Sequence, residues 1–184
     1  MLTGKELSIE LYRPELADKA CRRVEKGEEL LPLIEEMTRL MRSQEGTGLA
    51  APQVGVYLRL AILLNLDDEI EVLVNPEIVN LGGHDLLEQE SCLSLPPAEL
   101  ATARIWRSEI AYVRSGTVKN PNAAQLKVYR KTMARRVQHE IDHLQGVFFI
   151  DRCQPVARGI VLRRFHEYQR QQEIERRANL SCVA

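Results

Sequence analysis

The stretch 133–144 constrains this chain most. Met133, Val137, Ile141 and Leu144 recur at intervals of four, four and three residues, which lays an apolar stripe along one side of an α-helix. Gly146 follows where helices commonly close in a left-handed turn. Such a helix buries its stripe and leaves its other face polar. Here that face carries His139, Glu140, Asp142 and His143. His139 and His143 stand at i and i+4, one above the other, so their imidazoles can converge on one tetrahedral ion. Glu140 projects about 100° round the helix from His139, within reach of a metal's water without being a ligand. This is the HExxH arrangement, in which a metal acidifies water and the carboxylate handles the proton. Three fixed positions in five also arise by chance on polar helix faces, so a metal site requires a third ligand.

Downstream, Asp151, His166, Glu167 and Glu173 offer donors, but nothing marks them as ligands. Upstream, Cys92 sits in "LEQESCLSLPP", just before Pro96 and Pro97, where the chain should be extended or turning. A thiolate there can approach the helix from an adjacent strand, and two imidazoles with a thiolate suit Zn(II) or Fe(II). The alternative for Cys92 is an inert core thiol, because free cysteine packs as a small hydrophobe. Asp142 caps or pairs with a local arginine, or else orients a histidine; the structural role comes first. The four cysteines, Cys21, Cys92, Cys153 and Cys182, show no CxxC spacing and suit a reducing cytosol better than a disulfide scaffold.

Around this helix the chain reads as α+β. Residues 28–44 carry Leu30, Leu33, Ile34, Met37, Leu40 and Met41 at helical spacing, with Gly46 and Gly48 ending the helix. Stretches 57–65, 69–81, 105–114 and 124–130 read as strands, "GVFFIDR" as a short apolar strand, and the residues from Pro155 as an amphipathic helix. The expected architecture is antiparallel β-sheets around a central metal-binding helix, with an N-terminal and a C-terminal helix. One domain spans 1–184, with 155–184 a helical tail. A chain of 184 residues can bury a sizeable core. A net charge of -1 excludes a strong general attraction to nucleic acid or anionic membrane. No apolar run is long enough for a membrane span, and "MLTGKELSIE" does not read as a secretory signal. The tail carries six arginines against three glutamates; a solvated helix face accounts for that excess before a binding surface does.

"EGTGLAAPQVG", residues 45–55, superficially matches a dinucleotide-binding fingerprint. That fingerprint needs a strand before it and a helix after it. Here a helix precedes, and Pro52 disfavours one following, so the nucleotide reading is rejected. Gly48, Ala50 and Ala51 instead allow close backbone approach. Gln53 carries an amide able to donate to a developing oxyanion, although a lone Gln is usually surface.

Together and in this order, "GTGLAAPQ", "ESCLS" and "QHEIDH" resemble the three signature motifs of the peptide deformylases. The resemblance implies that Cys92, His139 and His143 hold one divalent ion, commonly Fe(II), with Zn(II), Ni(II) or Co(II) as substitutes. It implies that Glu140 moves the proton, and that the Gln53 side chain and the Leu93 backbone N–H hold the carbonyl oxygen as it turns negative. The implied reaction is hydrolysis of an N-formyl group, usually on the formyl-methionine start of a nascent chain, giving formate and a free amine. A ribosome contact through the basic terminal helix and a cytoplasmic setting (or an organelle, after removal of a targeting segment) are further expectations. No membrane and no sequence-specific nucleic acid are expected as partners.

The match departs from the family pattern at several positions. Ser91 replaces a glycine before Cys92, and Thr47 stands where an apolar residue is usual. Arg136, one turn before His139, and Glu88 fall where apolar or small residues line the pocket for the methionine side chain. With Gly46 and Gly48, these residues are the expected substrate-binding set. Either Glu88 and Arg136 make the pocket polar by pairing with each other, or Arg136 snorkels to solvent and the pocket stays apolar. Glu90 and Arg104 are expected to pair beneath the Cys92 segment. The alternatives to deformylation of formyl-methionine are a shifted N-formyl substrate, a zinc endopeptidase on the same helix, and an idle homologue that keeps its metal.

Overall fold

A computed structural model describes residues 7–16, 19, 21–96 and 103–181, without the side chains of 16, 103–106, 180 and 181. Among the described residues, five antiparallel strands pair in chain order: β1 (Gly48–Ala50), β2 (Leu60–Leu64), β3 (Ile70–Glu90), β4 (Ala103–Gly116) and β5 (Gln125–Arg130). Three α-helices accompany them there: α1 (Leu31–Ser43), α2 (Lys131–Leu144) and α3 (Pro155–Ser181). The expected α+β architecture with a central helix is the one observed. The described strands form one sheet.

β2 shows why the layers form. Its sequence, LAILL, is apolar throughout because both faces are covered. Leu60 and Ile62 pack with Leu33, Met37 and Met41 of α1. Ala61 and Leu63 pack with Val137, Ile141 and Leu144 of α2. Successive residues of a strand point to opposite faces, so one short strand holds both helices in place. The α2 stripe read from the sequence is therefore the face pressed onto the sheet.

The ends of the helices differ in kind. α2 closes as expected: Gly146 is left-handed (φ 75), and Val147 N–H donates to the Asp142 carbonyl. At the end of α1 the left-handed residue is Glu45 (φ 52) rather than a glycine, with Gly46 N–H donating to the Met41 carbonyl. Both are Schellman closures. Gly46 thus supplies the closing N–H of α1, and Gly48 lies beyond the closure.

Two strand expectations are corrected, and one strand, β1, is additional to those expected. The strand expected over 69–81 runs on to Glu90, paired with β4 as far as Glu90↔Ala103. Register shifts between Val74/Glu77, Ile78/Asn80 and Gly82/Asp85 break its alternation, so its second half gives no period-two signal. β1 has three residues, too few to show a period. "GVFFIDR" is not a strand: Phe149–Arg152 form a 3-10 turn. Its apolar run is dictated by burial of Phe148, Phe149 and Ile150 against Tyr12, Leu95 and Phe165, and a short apolar run does not distinguish strand from turn. α3 buries Val161 and Phe165 and is otherwise largely exposed. No described helix is long and apolar enough to cross a membrane.

Candidate metal centre

β3 ends at Glu90, and two residues later Cys92 lies against α2. Cys92 Sγ is 3.2 Å from His143 Nε2, which is 3.2 Å from His139 Nε2. The ligand-type atoms of Cys92, His139 and His143 all lie within 4.8 Å of one another. One face of α2 thus meets the segment after β3 in a single sulfur–nitrogen–nitrogen cluster. Cys92 and His143 are both 4% exposed. The donor set is that of a thiolate and imidazole site, which suits divalent transition metals.

The ring of His139 is fixed from behind. Its Nδ1 lies 2.8 Å from Glu90 Oε2. Burial alone would push the Glu90 carboxyl up, but hydrogen bonds with His139 and Arg107 outweigh it and hold it down at about 2. Glu90 is therefore an ionised acceptor, so Nδ1 donates and Nε2 is left to face the cluster. Glu90 in turn accepts from Arg107 Nε at 2.6 Å and Nη2 at 3.0 Å. Arg107 Nη1 reaches Asp142 Oδ2 at 2.6 Å, and Arg152 Nε reaches the same oxygen at 2.6 Å. Asp142 thus takes the structural role that the sequence suggests, paired with arginines. Glu90 pairs with Arg107 and His139; the side chain of Arg104, its expected partner, lies outside the described residues.

Nothing in the motifs points to Arg107. The available signal is parity: on β4, Arg107 shares period-two register with the buried Ala111 and Val113. A charged residue at an inward position must be paired with charge.

Glu140 is 4% exposed, and its Oε2 makes no hydrogen bond. Burial pushes its carboxyl up to about 7, with Glu90 and Asp142 reinforcing the rise against His139 and Arg107. Gly48 explains how the carboxylate fits: a Cβ at that position would fall 2.3 Å from Glu140 Oε1. Gly46 is comparably tight, its Cβ position lying 2.8 Å from Leu93 Cδ1.

Gln53 sits on the 3-10 turn Ala51–Val54 and is buried. Its Oε1 accepts from Ala50 N–H at 2.9 Å, which turns Nε2 toward Ser94 Oγ at 3.2 Å and Cys92 Sγ at 3.4 Å. Nε2 is thus a donor aimed at the cluster. Gly46, Thr47, Gly48, Gln53, Ser91, Leu93, Arg136, His139 and Glu140 border one cleft of about 200 Å³ beside Cys92.

Glu88 is the exception among the expected binding residues. Its carboxylate is 42% exposed and lies 3.5 Å from Arg135, outside the residues bordering the cleft. It does not pair with Arg136, whose Nη1 donates to the Leu64 carbonyl at 2.6 Å. Nor does Arg136 snorkel away, since it is half-buried and borders the cleft. Cys21, Cys92 and Cys153 are all free thiols, and Cys182 lies outside the described residues.

The family sequence model described as polypeptide deformylase matches residues 7–159. The chain belongs to the polypeptide deformylase family. The peptide deformylase of Acidobacterium capsulatum is 39% identical over 152 residues, covering 79% of this chain and 85% of that relative. The peptide deformylase of Thermodesulfovibrio yellowstonii is 36% identical over 164 residues, covering 86% and 96%. The crystal structure of a peptide deformylase from Legionella pneumophila superposes with a TM-score of 0.82 at 32% identity, covering 92% of this chain and 98% of that one. This deformylase is accordingly a metallohydrolase, and its clustered Cys92, His139 and His143 imply a divalent metal.

Proposed function

We propose that this deformylase hydrolyses N-formyl peptides at the cleft beside Cys92, with Cys92, His139 and His143 holding the ion. The family removes N-formyl groups from nascent chains. The observation that carries the site assignment is convergence: three donors meet at one point, and the cleft beside them is bordered by Glu140, whose buried Oε2 has no hydrogen-bond partner. A divalent ion held there supplies Lewis acidity, which lowers the pKa of water and polarises a carbonyl oxygen. The soft thiolate with imidazoles accommodates Fe(II), which we take as the working ion, and also Zn(II).

The protein's own groups do the rest. Glu140 Oε2 takes a proton from the attacking water and returns it to the departing amine nitrogen. Gln53 Nε2 and the Leu93 backbone N–H donate to the carbonyl oxygen as it becomes negative. The His139–Glu90–Arg107 chain holds its imidazole in one tautomer and orientation. Formate leaves with the new C–O bond, and the peptide leaves with a free amine. A formyl carbon carries only hydrogen, and the close approach of Gly48 to Glu140 limits what can sit there. We place the reaction in the cytoplasm, a setting that the free thiols suit, with the arginine-rich α3 as the contact with the ribosome.

The test is formate release from formyl-Met-Ala-Ser by anaerobically prepared, metal-loaded protein. Glu140→Gln is expected to lose at least about a hundredfold in kcat while retaining bound metal. An unformylated peptide cut internally would point to an endopeptidase instead. Formate release unchanged in Glu140→Gln would overturn the assignment.

A further inference from the structure

The cleft has a polar wall where the first side chain of a formyl peptide must lie. The formyl carbon is joined through one nitrogen to the first Cα, so that side chain begins close to the reacting centre. One turn before His139 on α2, Arg135 and Arg136 border the cleft, facing Thr47, Gln89 and Ser91. Among the described bordering residues, Leu93 carries the one aliphatic side chain.

The two arginines are not equivalent. Arg135 is engaged: its Nη1 donates to the Gln89 carbonyl at 2.9 Å and lies near the Glu88 carboxylate. Arg136 has no ion pair among the described residues. Its Nη1 donates to the Leu64 carbonyl and touches Met133 Sδ at 3.8 Å, and its Nε is buried without a partner. Burial, with the neighbouring charge of Arg135 behind it, works against the charged form of this side chain, and the carboxylate of Asp68, which is not in ion-pair contact, offsets this only in part. A guanidinium offers five donors, and a buried donor left unmade is costly.

The acids of the cleft do not answer that need. Glu90 is committed to Arg107 and His139, Glu140 lies against Gly48, and Glu45 is exposed to solvent. An incoming oxygen acceptor is what completes Arg136.

We infer that Arg136 is a specificity-determining residue, selecting N-formyl substrates whose first side chain carries a carboxylate over those carrying a thioether. This rests on the deformylase reading of the cleft. It follows from a half-buried cation, with one donor unmade, on the wall that the first side chain meets.

The test compares tripeptides identical except for formyl-Glu or formyl-Met at the first position. Formate release by the metal-loaded protein gives kcat/KM, and calorimetry on the Glu140→Gln variant gives binding without turnover. Arg136→Met is expected to raise the ratio of formyl-Met to formyl-Glu at least tenfold, in KM and in binding more than in kcat. Arg136→Gln, which keeps a polar side chain should the first variant fail to fold, is expected to move the ratio in the same direction. Arg135→Met is expected to leave it within threefold. A change of less than tenfold in Arg136→Met, or an equal change in Arg135→Met, overturns the inference. Failure to release formate from either peptide refutes the deformylase reading instead, and the binding arm still reports which side chain the wall prefers.

Discussion

Gly48 and Glu140 work as one unit because the buried carboxylate lies where a side chain on residue 48 would be. Gly48→Ala places a methyl 2.3 Å from Glu140 Oε1, and Glu140 is buried, so the carboxylate has little room to retreat. A displacement of about 1 Å at a reacting group typically costs about a hundredfold in rate. The variant is expected to lose roughly that factor in formate release while its metal content, measured by elemental analysis, stays at one per chain. Activity above a tenth of the parent's would show that Glu140 tolerates the shift. At Glu45 the requirement is conformational. An L residue in the left-handed region pays a steric penalty that glycine avoids, partly offset by the larger entropy of glycine in the unfolded chain. Glu45→Gly is therefore expected to stabilise the protein by about 0.5 kcal/mol, read as a higher urea midpoint. An unchanged or lower midpoint would mean that the Schellman turn already accommodates glutamate without strain.

Between elements, the decisive contact is the buried chain of charge that runs from β3 through β4 to α2. Arg107 and its two carboxylate partners, Glu90 and Asp142, have side chains 3–4% exposed. Removing the cation leaves two buried acids short of a partner, and breaking a buried pair typically costs about 3–5 kcal/mol. Arg107→Met is expected to destabilise by that order in urea denaturation and to weaken metal binding by about 10–100-fold, through loss of the group that orients Glu90 and hence His139. Arg107→Lys is not expected to rescue it, because a point ammonium cannot span both carboxylates as the planar fork does. A loss under about 1 kcal/mol would place the chain of charges among ordinary surface pairs. The same contact marks the limit of what the sequence makes legible. α1 and α2 are visible because a 3.6-residue period survives along each, and His139, Glu140 and His143 because they sit on one such helix; α3 is a helix as expected, but its apolar residues do not gather on one buried face. Cys92 is visible only through its polar, proline-flanked setting and the joint motif pattern. The second half of β3 is hidden by its register shifts, and Arg107 by the fact that its partners are distant in the chain. Where Arg136 points was open in the sequence, because helical spacing fixes a face but not the atoms that a long side chain meets.

At the scale of the molecule, the ion should be a fastener. Cys92 and His143 are 51 residues apart and reach the cluster from the end of β3 and from α2, so no local segment forms the site in the unfolded chain. A ligand that binds only the folded state stabilises it by RT ln(1 + [L]/Kd), about 2.7 kcal/mol at a hundredfold excess over Kd. For a domain of this size that amounts to a rise of roughly 5–10 °C in Tm. Oxygen-protected protein stripped by chelation and then titrated with Zn(II) is expected to regain that increment in differential scanning calorimetry, with the plateau at one ion per chain. Cys92→Ala, which removes the donor contributed by the β3 side, is expected to lose most of the increment while its metal-free Tm changes less. Because β3 also pairs with β4 along its length, the sheet should persist without the ion, and the metal-free protein should unfold in one transition at the lower temperature. An increment that survives intact in Cys92→Ala would mean that α2 alone binds the ion, and the three-donor centre would have to be abandoned.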